Sequence, residues 1–412
     1  MTMKVTWTKL LLFATLLMSM SAAARAQQPS ARYAAAPNYY SPQGQASTAT
    51  VVVPTAALEE ALAAAEEPGD CVRSERDCGG CGHCRDCGGR NLGFWGSAEY
   101  LMLWGRGRGV PALVSAGPTG ATFDDSGVLP GADTLFGADR IGKNMLSAGR
   151  ITAGLWLDSD DSIGVAGRFL GVESDHTGFT TDSTANPILG LPFFNVDPLV
   201  NAEDALVLGY PGVTSGGVNI TTSSNIYSAE ALGRVNFDRD HCSRLDLIGG
   251  YHYSRLDDGL TINSLTTVVG GVLPIGTSFN VLDDFDAKNE FHGGSGGFIY
   301  ERYRGPWTMS LLGKLSIGKM YETLRIRGAT TMVDVGGGVT TIDGGLLAQP
   351  TNIGTYTRNE TAFIPELGVN FSRRMSDRVE FTFGYTFIYW SSVILAGDQI
   401  DRSVNGTLLS GG

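Results

Sequence analysis

Once the first two dozen residues are passed, the chain has no apolar stretch of about 18 residues, so membrane-spanning helices are excluded. Positive charge is also short. Lys and Arg number 30 against 42 Asp and Glu, a formal net charge of −12, which argues against binding nucleic acid or an anionic surface by bulk attraction. The glycine runs at 293–297 and 336–338 lack the Lys and the helix that a phosphate-binding loop needs. Asp-rich stretches at 158–161, 238–240 and 283–286 lack the spacing and terminal Glu of a calcium loop, and read as solvated turns. No cofactor is expected.

What is present begins with an export signal. Lys4 and Lys9 precede a short apolar run, Leu10 to Met20, and Ala24-Arg25-Ala26 supplies small residues for cleavage after Ala26. No lipid-accepting Cys follows. Residues 27–92 read as a disordered periplasmic spacer, rich in Ala, Ser, Gln and Pro up to about residue 70, with Leu58 to Glu67 too short to hold a helix alone. The spacer ends in a cysteine cluster, Cys71, Cys78, Cys81, Cys84 and Cys87, with His83 among them. In an exported protein such spacing favours disulfides over a thiolate metal site. Five is odd, so one thiol pairs with Cys242, pairs with another chain, binds metal or stays free.

From Phe94 onward the texture is strands with period-two alternation. Tyr227, Ala229, Ala231, Val235 and Phe237 alternate with Ser228, Glu230, Arg234 and Asn236; Trp307, Met309, Leu311, Leu315 and Ile317 alternate with Thr308, Ser310, Lys314 and Ser316. Nine such segments are recognisable, the last running from Val379 to Tyr389. Their connectors alternate between long excursions, about 105–146, 174–223, 257–288 and 320–358, and tight turns at 158–161, 238–241, 304–306 and 373–377. Trp95, Trp104, Trp156, Trp307, Tyr389 and Trp390 sit near segment ends, where a membrane barrel carries its interfacial girdles. Residues 93–412 are therefore expected to form an all-β, antiparallel, up-and-down transmembrane barrel of about ten to twelve strands. The expected location is the bacterial outer membrane, and the expected partners are outer-membrane lipid and small solutes, with no nucleic acid.

The motifs EYLMLW with Pro111 behind it, LPFFNV, RLDLIGGYHYSRL, DDFDAKNEFHGG, GGLLAQPTNIG, PELGVNF and GYTFIYWSSVILAGDQID resemble the β-barrel porin-7 family of outer-membrane proteins. The likeness runs from about Phe94 to Asp401. It implies a transmembrane barrel and supplies no catalytic or ligand residues. The family continues past GDQID into a further aromatic strand, whereas here the chain reaches Gly412 first. Nine strands leave an open edge, costly in lipid, so a tenth strand is expected beyond Gly412, unless the long excursions hide further strands.

The alternation turns Glu99, Arg150, Arg168, Glu230, Arg234, Asp246, His252, Lys314, Glu366 and Glu380 to the polar, inward side. These either set the ion preference of a pore or pair across a narrow lumen and hold it shut. Of the five histidines, His83, His176, His241, His252 and His292, only His252 could serve a barrel hydrolase, with Asp246 nearby. No serine can be assigned to it, and a structural histidine is the expectation, so an enzyme is not expected. The functional readings are a structural or diffusion barrel, a surface-interaction protein using long loops, and, more weakly, a hydrolase around His252.

Overall fold

The computed structural model describes residues 45–49, 93–376 and 379–405, all within the unit Ser41–Gly412. Ten strands form the wall: β1 (Gln45–Ala49), β2 (Gly93–Gly105), β3 (Met145–Trp156), β4 (Ile163–Val172), β5 (Thr214–Arg239), β6 (Ser243–Val268), β7 (Ser278–Arg304), β8 (Trp307–Val333), β9 (Gly354–Ser376) and β10 (Val379–Trp390). Each is antiparallel to its neighbours, and the pairings run from β2 round to β10, then through β1 back to β2, a closed circuit. The all-β antiparallel barrel read from the sequence is the fold observed.

Two adjustments concern the seam and the girdle. The last strand does not pair with β2. Gln45–Ala49, inside the segment read as spacer, lies between them, with Ser47 opposite Gly105 on one side and Ile388 on the other. The tenth position, expected for a strand beyond Gly412, is thus taken in part from the N-terminal side. A strand can form there with small polar residues because both edges offer backbone partners in register. The signal, the cysteine cluster and the rest of 27–92 lie outside the described residues. Of the aromatics read as a girdle, Trp104, Trp307 and Tyr389 take outward positions, but Trp95, Trp156 and Trp390 turn into the barrel, where Trp156 and Trp390 are buried.

The long connectors are the largest difference. β5 to β8 are 26, 26, 27 and 27 residues long, so most of 257–288 and 320–358 is strand. Further strands fill the other excursions. Asp175–Asp182 pairs with the upper half of β5, and Val339–Asp343 with β8. Val114–Ala116, Asp133–Phe136, Leu189–Asn195, Ala202–Gly209 and Ser403–Val404 make a separate five-stranded sheet.

Burial explains why strands outlast the membrane. Near the turn end, the outward face of β5 is apolar: Tyr227, Ala229, Ala231, Gly233, Val235, Phe237. Towards the loop end the same face becomes Ser215, Asn219, Thr221, Ser223 and Asn225, while Val218 and Ile220 are buried inside. β8 does likewise, with Trp307 to Ile317 apolar outward, then Lys319, Tyr321, Thr323, Arg325 and Arg327 outward over buried Met320, Leu324 and Ile326. The apolar band takes about 10 residues per strand, the ~25 Å that an outer-membrane barrel sets in lipid. The remainder rises above it as a cap with its own core, in which Leu189, Leu208, Ile220, Leu260 and Phe285 are completely buried.

Candidate functional site: the closed lumen

Four layers fill the interior from the turn end to the loop end. At the turn end, Arg234 lies 5.5 Å over the Trp95 ring and 5.1 Å over that of Trp156, and Arg244 stacks 4.5 Å over Trp156 as well. Both guanidiniums donate to Asp246, at 2.5 and 2.8 Å, and Asn236 donates to its second oxygen at 2.8 Å. Asp246 therefore serves these arginines and not His252.

The second layer is a charge network. Arg150 reaches Glu99 at 2.5 Å and Glu366 at 3.3 Å. Arg168 reaches Glu230 at 2.7 Å and bonds both oxygens of Glu366. Lys314 reaches Glu230 at 2.6 Å and Glu366 at 2.7 Å. Three cations meet three carboxylates, so the layer is neutral. Several contacts are between strands that are not neighbours: Glu366 of β9 meets β3 and β4, and Glu230 of β5 meets Lys314 of β8. These bonds cross the bore. His252 is held on the same level, its Nε2 2.9 Å from the Ser228 hydroxyl and its Nδ1 2.8 Å from that of Ser316, which in turn is 2.7 Å from Ser295. A nucleophilic triad needs a carboxylate on the histidine nitrogen away from the serine. Here serines occupy both nitrogens, and Glu230 lies 3.6 Å from Nε2, on the same side as Ser228.

Above the charges the lumen is apolar, with Leu101, Leu103, Ala148 and Val172 against one wall, and Phe291, Met320, Ile364 and Trp390 against another. The fourth layer joins inserted segments to the wall. The Arg108 guanidinium is buried between Asp175 at 2.7 Å and Asp258 at 2.5 Å. Asp258 also accepts the Ala396 amide at 2.9 Å. Asn289 exchanges two bonds with Ile394, donating to its carbonyl at 2.9 Å and accepting its amide at 2.7 Å. Asp283 accepts the amides of Leu347 and Ala348 at 2.9 and 2.7 Å, and that of Leu346 at 3.3 Å. Burial pushes both carboxyls up to about 6, against the pull of Arg108 on Asp258 and of the three amides on Asp283.

Nine of the ten residues read as inward lie in these layers. Glu380 does not: it is exposed at the turn end, 3.8 Å from Arg374, because β10 starts only one residue before it. Arg108, Asp258, Asp283 and Asn289 were missed by sequence reading. Their signal was a polar residue at an inward position in a row otherwise apolar, as Asp283 is beside Phe285 and Ala287. Cys242 is disulfide-bonded, and the other five cysteines lie outside the described residues. No group of three or more His, Cys, Asp or Glu among the described residues is arranged to hold a metal ion.

No curated protein and no solved structure matches the chain. The sequence model of the beta barrel porin-7 (BBP7) family matches residues 95–412, which takes in nine of the ten wall strands and all four layers. By that match, the chain is an outer-membrane β-barrel and belongs to the beta barrel porin-7 family.

Proposed function

We propose that this protein is a sealed structural barrel, anchoring a tall β-cap on the cell surface, and not an open diffusion pore. The observation that carries the reading is the neutral network of Glu99, Arg150, Arg168, Glu230, Lys314 and Glu366, whose bonds cross the bore. A pore that sets ion preference keeps its charges in water; here Lys314, Glu230 and Glu366 are buried and matched one against another. Above it, Leu101, Leu103, Phe291, Met320, Ile364 and Trp390 add buried apolar side chains to the bore. In this reading the signal is removed after Ala26, the tight turns face the periplasm, and the cap stands outside. Catalysis has no part in it, since His252 is buried and held by two serines.

Planar-bilayer recording on the refolded chain is the test. Wild-type protein should insert without steady conductance steps, and steps of a few hundred picosiemens would overturn the sealed reading. A second reading, surface interaction, is favoured by one feature. Val272, Leu273 and Ile275 stand exposed at the tip between β6 and β7, beside Val335 at the neighbouring tip. Exposed apolar clusters of this kind commonly mark contact surfaces. Purified protein with Val272→Asp and Ile275→Asp should lose any self-association or adhesion shown by the wild type; unchanged behaviour would remove that reading.

A further inference from the structure

The outward face holds one polar feature that neither the lumen nor the cap uses. On β8 the apolar band ends at Ile317, and the next outward residue is Lys319. Its cross-strand partners are His292 on β7 and Thr361 on β9. His292 is gripped by aromatics: the Tyr251 hydroxyl lies 2.6 Å from its Nδ1, and the rings of Tyr253 and Tyr321 lie 5.0 and 5.6 Å away.

Around this cluster three of the outward cations are paired with carboxylates, and a fourth, Arg325, stands opposite Asp286 across β8 and β7. Lys288 pairs with Glu290 at 2.9 Å, Arg255 with Asp257 at 2.8 Å, and Arg327 with Asp284 at 2.5 Å. Lys319 donates to the Thr361 hydroxyl at 3.0 Å and has no carboxylate partner among the described residues. On its far side β9 presents only Thr357, Asn359 and Thr361 outward. A cation without a carboxylate partner is therefore placed among hydroxyl and imidazole groups at the upper edge of the apolar band. Directly beneath, in the apolar band, β7 turns Gly294 outward between Tyr251 on β6 and Ile317 on β8, and Gly296 outward between Gly249 and Leu315. A side chain built at Gly296 would meet nothing within 4 Å. The result is a shallow groove running down the wall from the cation.

We propose that this is a lipid site: the phosphate headgroup of a lipid in the loop-side leaflet binds Lys319, with His292 and Tyr321 beside it, and an acyl chain lies in the groove over Gly294 and Gly296. Charge complementarity selects the phosphate, and the missing side chains leave room for the tail. The proposal rests on the membrane placement of the apolar band.

The experiment uses the full chain, refolded in neutral detergent and checked for the compact gel migration of a folded barrel. It is offered a bisphosphorylated, acylated glucosamine lipid or the same lipid after dephosphorylation, and retained lipid is counted by native mass spectrometry. The phosphorylated lipid should be retained in preference. Lys319→Gln should lower its retention about tenfold, the scale of one charge-assisted contact. Gly296→Leu should lower retention of both lipids, and Lys143→Gln, an exposed loop cation, should change neither. Equal retention of the two lipids, or a Lys319→Gln protein that holds the phosphorylated lipid as well as wild type, overturns the proposal. A folded chain that fails to enter liposomes at all overturns the membrane placement and the lipid site with it, a result distinct from either.

Discussion

At the scale of residues, Glu366 is the natural place to disturb the lumen, because three cations converge on one buried carboxylate. Glu366→Gln removes the charge and leaves Arg150, Arg168 and Lys314 with Glu99 and Glu230 alone. Stripping one partner from a buried pair costs about 3–5 kcal/mol, largely as the penalty for the charge left behind. The expected outcome is a lower melting temperature in detergent and, if the network is the seal, a new leak in bilayers. Adding Lys314→Met restores neutrality and should recover part of both. A Glu366→Gln protein that melts with the wild type would remove the network from the account. Asp283 makes a different prediction, in the cap. Its carboxyl is pushed from the ordinary 3.8 to about 6, so the folded state holds the extra proton in that window. Where the native state binds more protons, stability falls as pH rises. The contribution is full below the ordinary value, declines up to about 6 and is flat above. Hydrogen exchange at Leu346, Leu347 and Ala348 should therefore show weaker protection near neutral pH than near pH ~4, beyond the intrinsic rate change. Asp283→Asn, which keeps an acceptor, should abolish that slope; a slope that persists assigns it to another group.

Among elements, the inserted segment Ser391–Val404 shows how polar groups direct an apolar plug. Val393, Ile394, Leu395 and Ala396 are buried, yet the position of the segment is set by Asn289 and Asp258 on the wall. Asn289→Ala leaves the Ile394 amide and carbonyl without these partners inside the cap. Each buried group so orphaned costs about 1–3 kcal/mol, so limited proteolysis should cut within 391–404 far sooner than in wild type. Equal resistance would mean that packing alone holds the segment. The same elements explain what could be read from sequence. Within the membrane band, apolar residues face out and charged ones in, so Glu230, Lys314 and Glu366 were legible from period two alone. Above it the phase reverses. On β6, Leu245, Leu247, Tyr251 and Tyr253 are outward, whereas Leu256, Leu260 and Ile262 are the buried, inward set. A strand that changes its apolar face looks, to a period-two reading, like a strand that stops, so the upper halves of β5 to β8 read as loops. Trp95 and Trp156 misled for a related reason: an aromatic near a strand end fits a girdle, but stacking under Arg234 and Arg244 places them inside. Asp283 and Asn289 do stand out as polar residues in an apolar inward row, but their partners lie many residues later, so the contacts themselves leave no local pattern.

Across the whole molecule, two solvents divide one sheet. The lower wall meets lipid and keeps its polar groups within; the upper wall meets water and keeps its apolar groups within. Strands of 26–27 residues span about 85–90 Å along their length, of which the bilayer needs only about 10 residues. Charge layer, apolar layer and cap core then share one continuous wall. The bonds that complete the cap have a consequence for time. Asn289 meets Ile394 across 105 residues, Asp258 meets Ala396 across 138, and Arg402 reaches the Pro192 carbonyl across 210. Contacts so far apart in the chain are slow to form, and each needs a residue of the 391–404 segment. The barrel wall can begin to close from hairpins such as β7 and β8, while the cap waits for residues 391–404 to be in place. In refolding, the compact gel migration of the barrel should therefore appear before protease resistance of 391–404, and the interval between them is the lifetime of an intermediate with a finished wall and an open top.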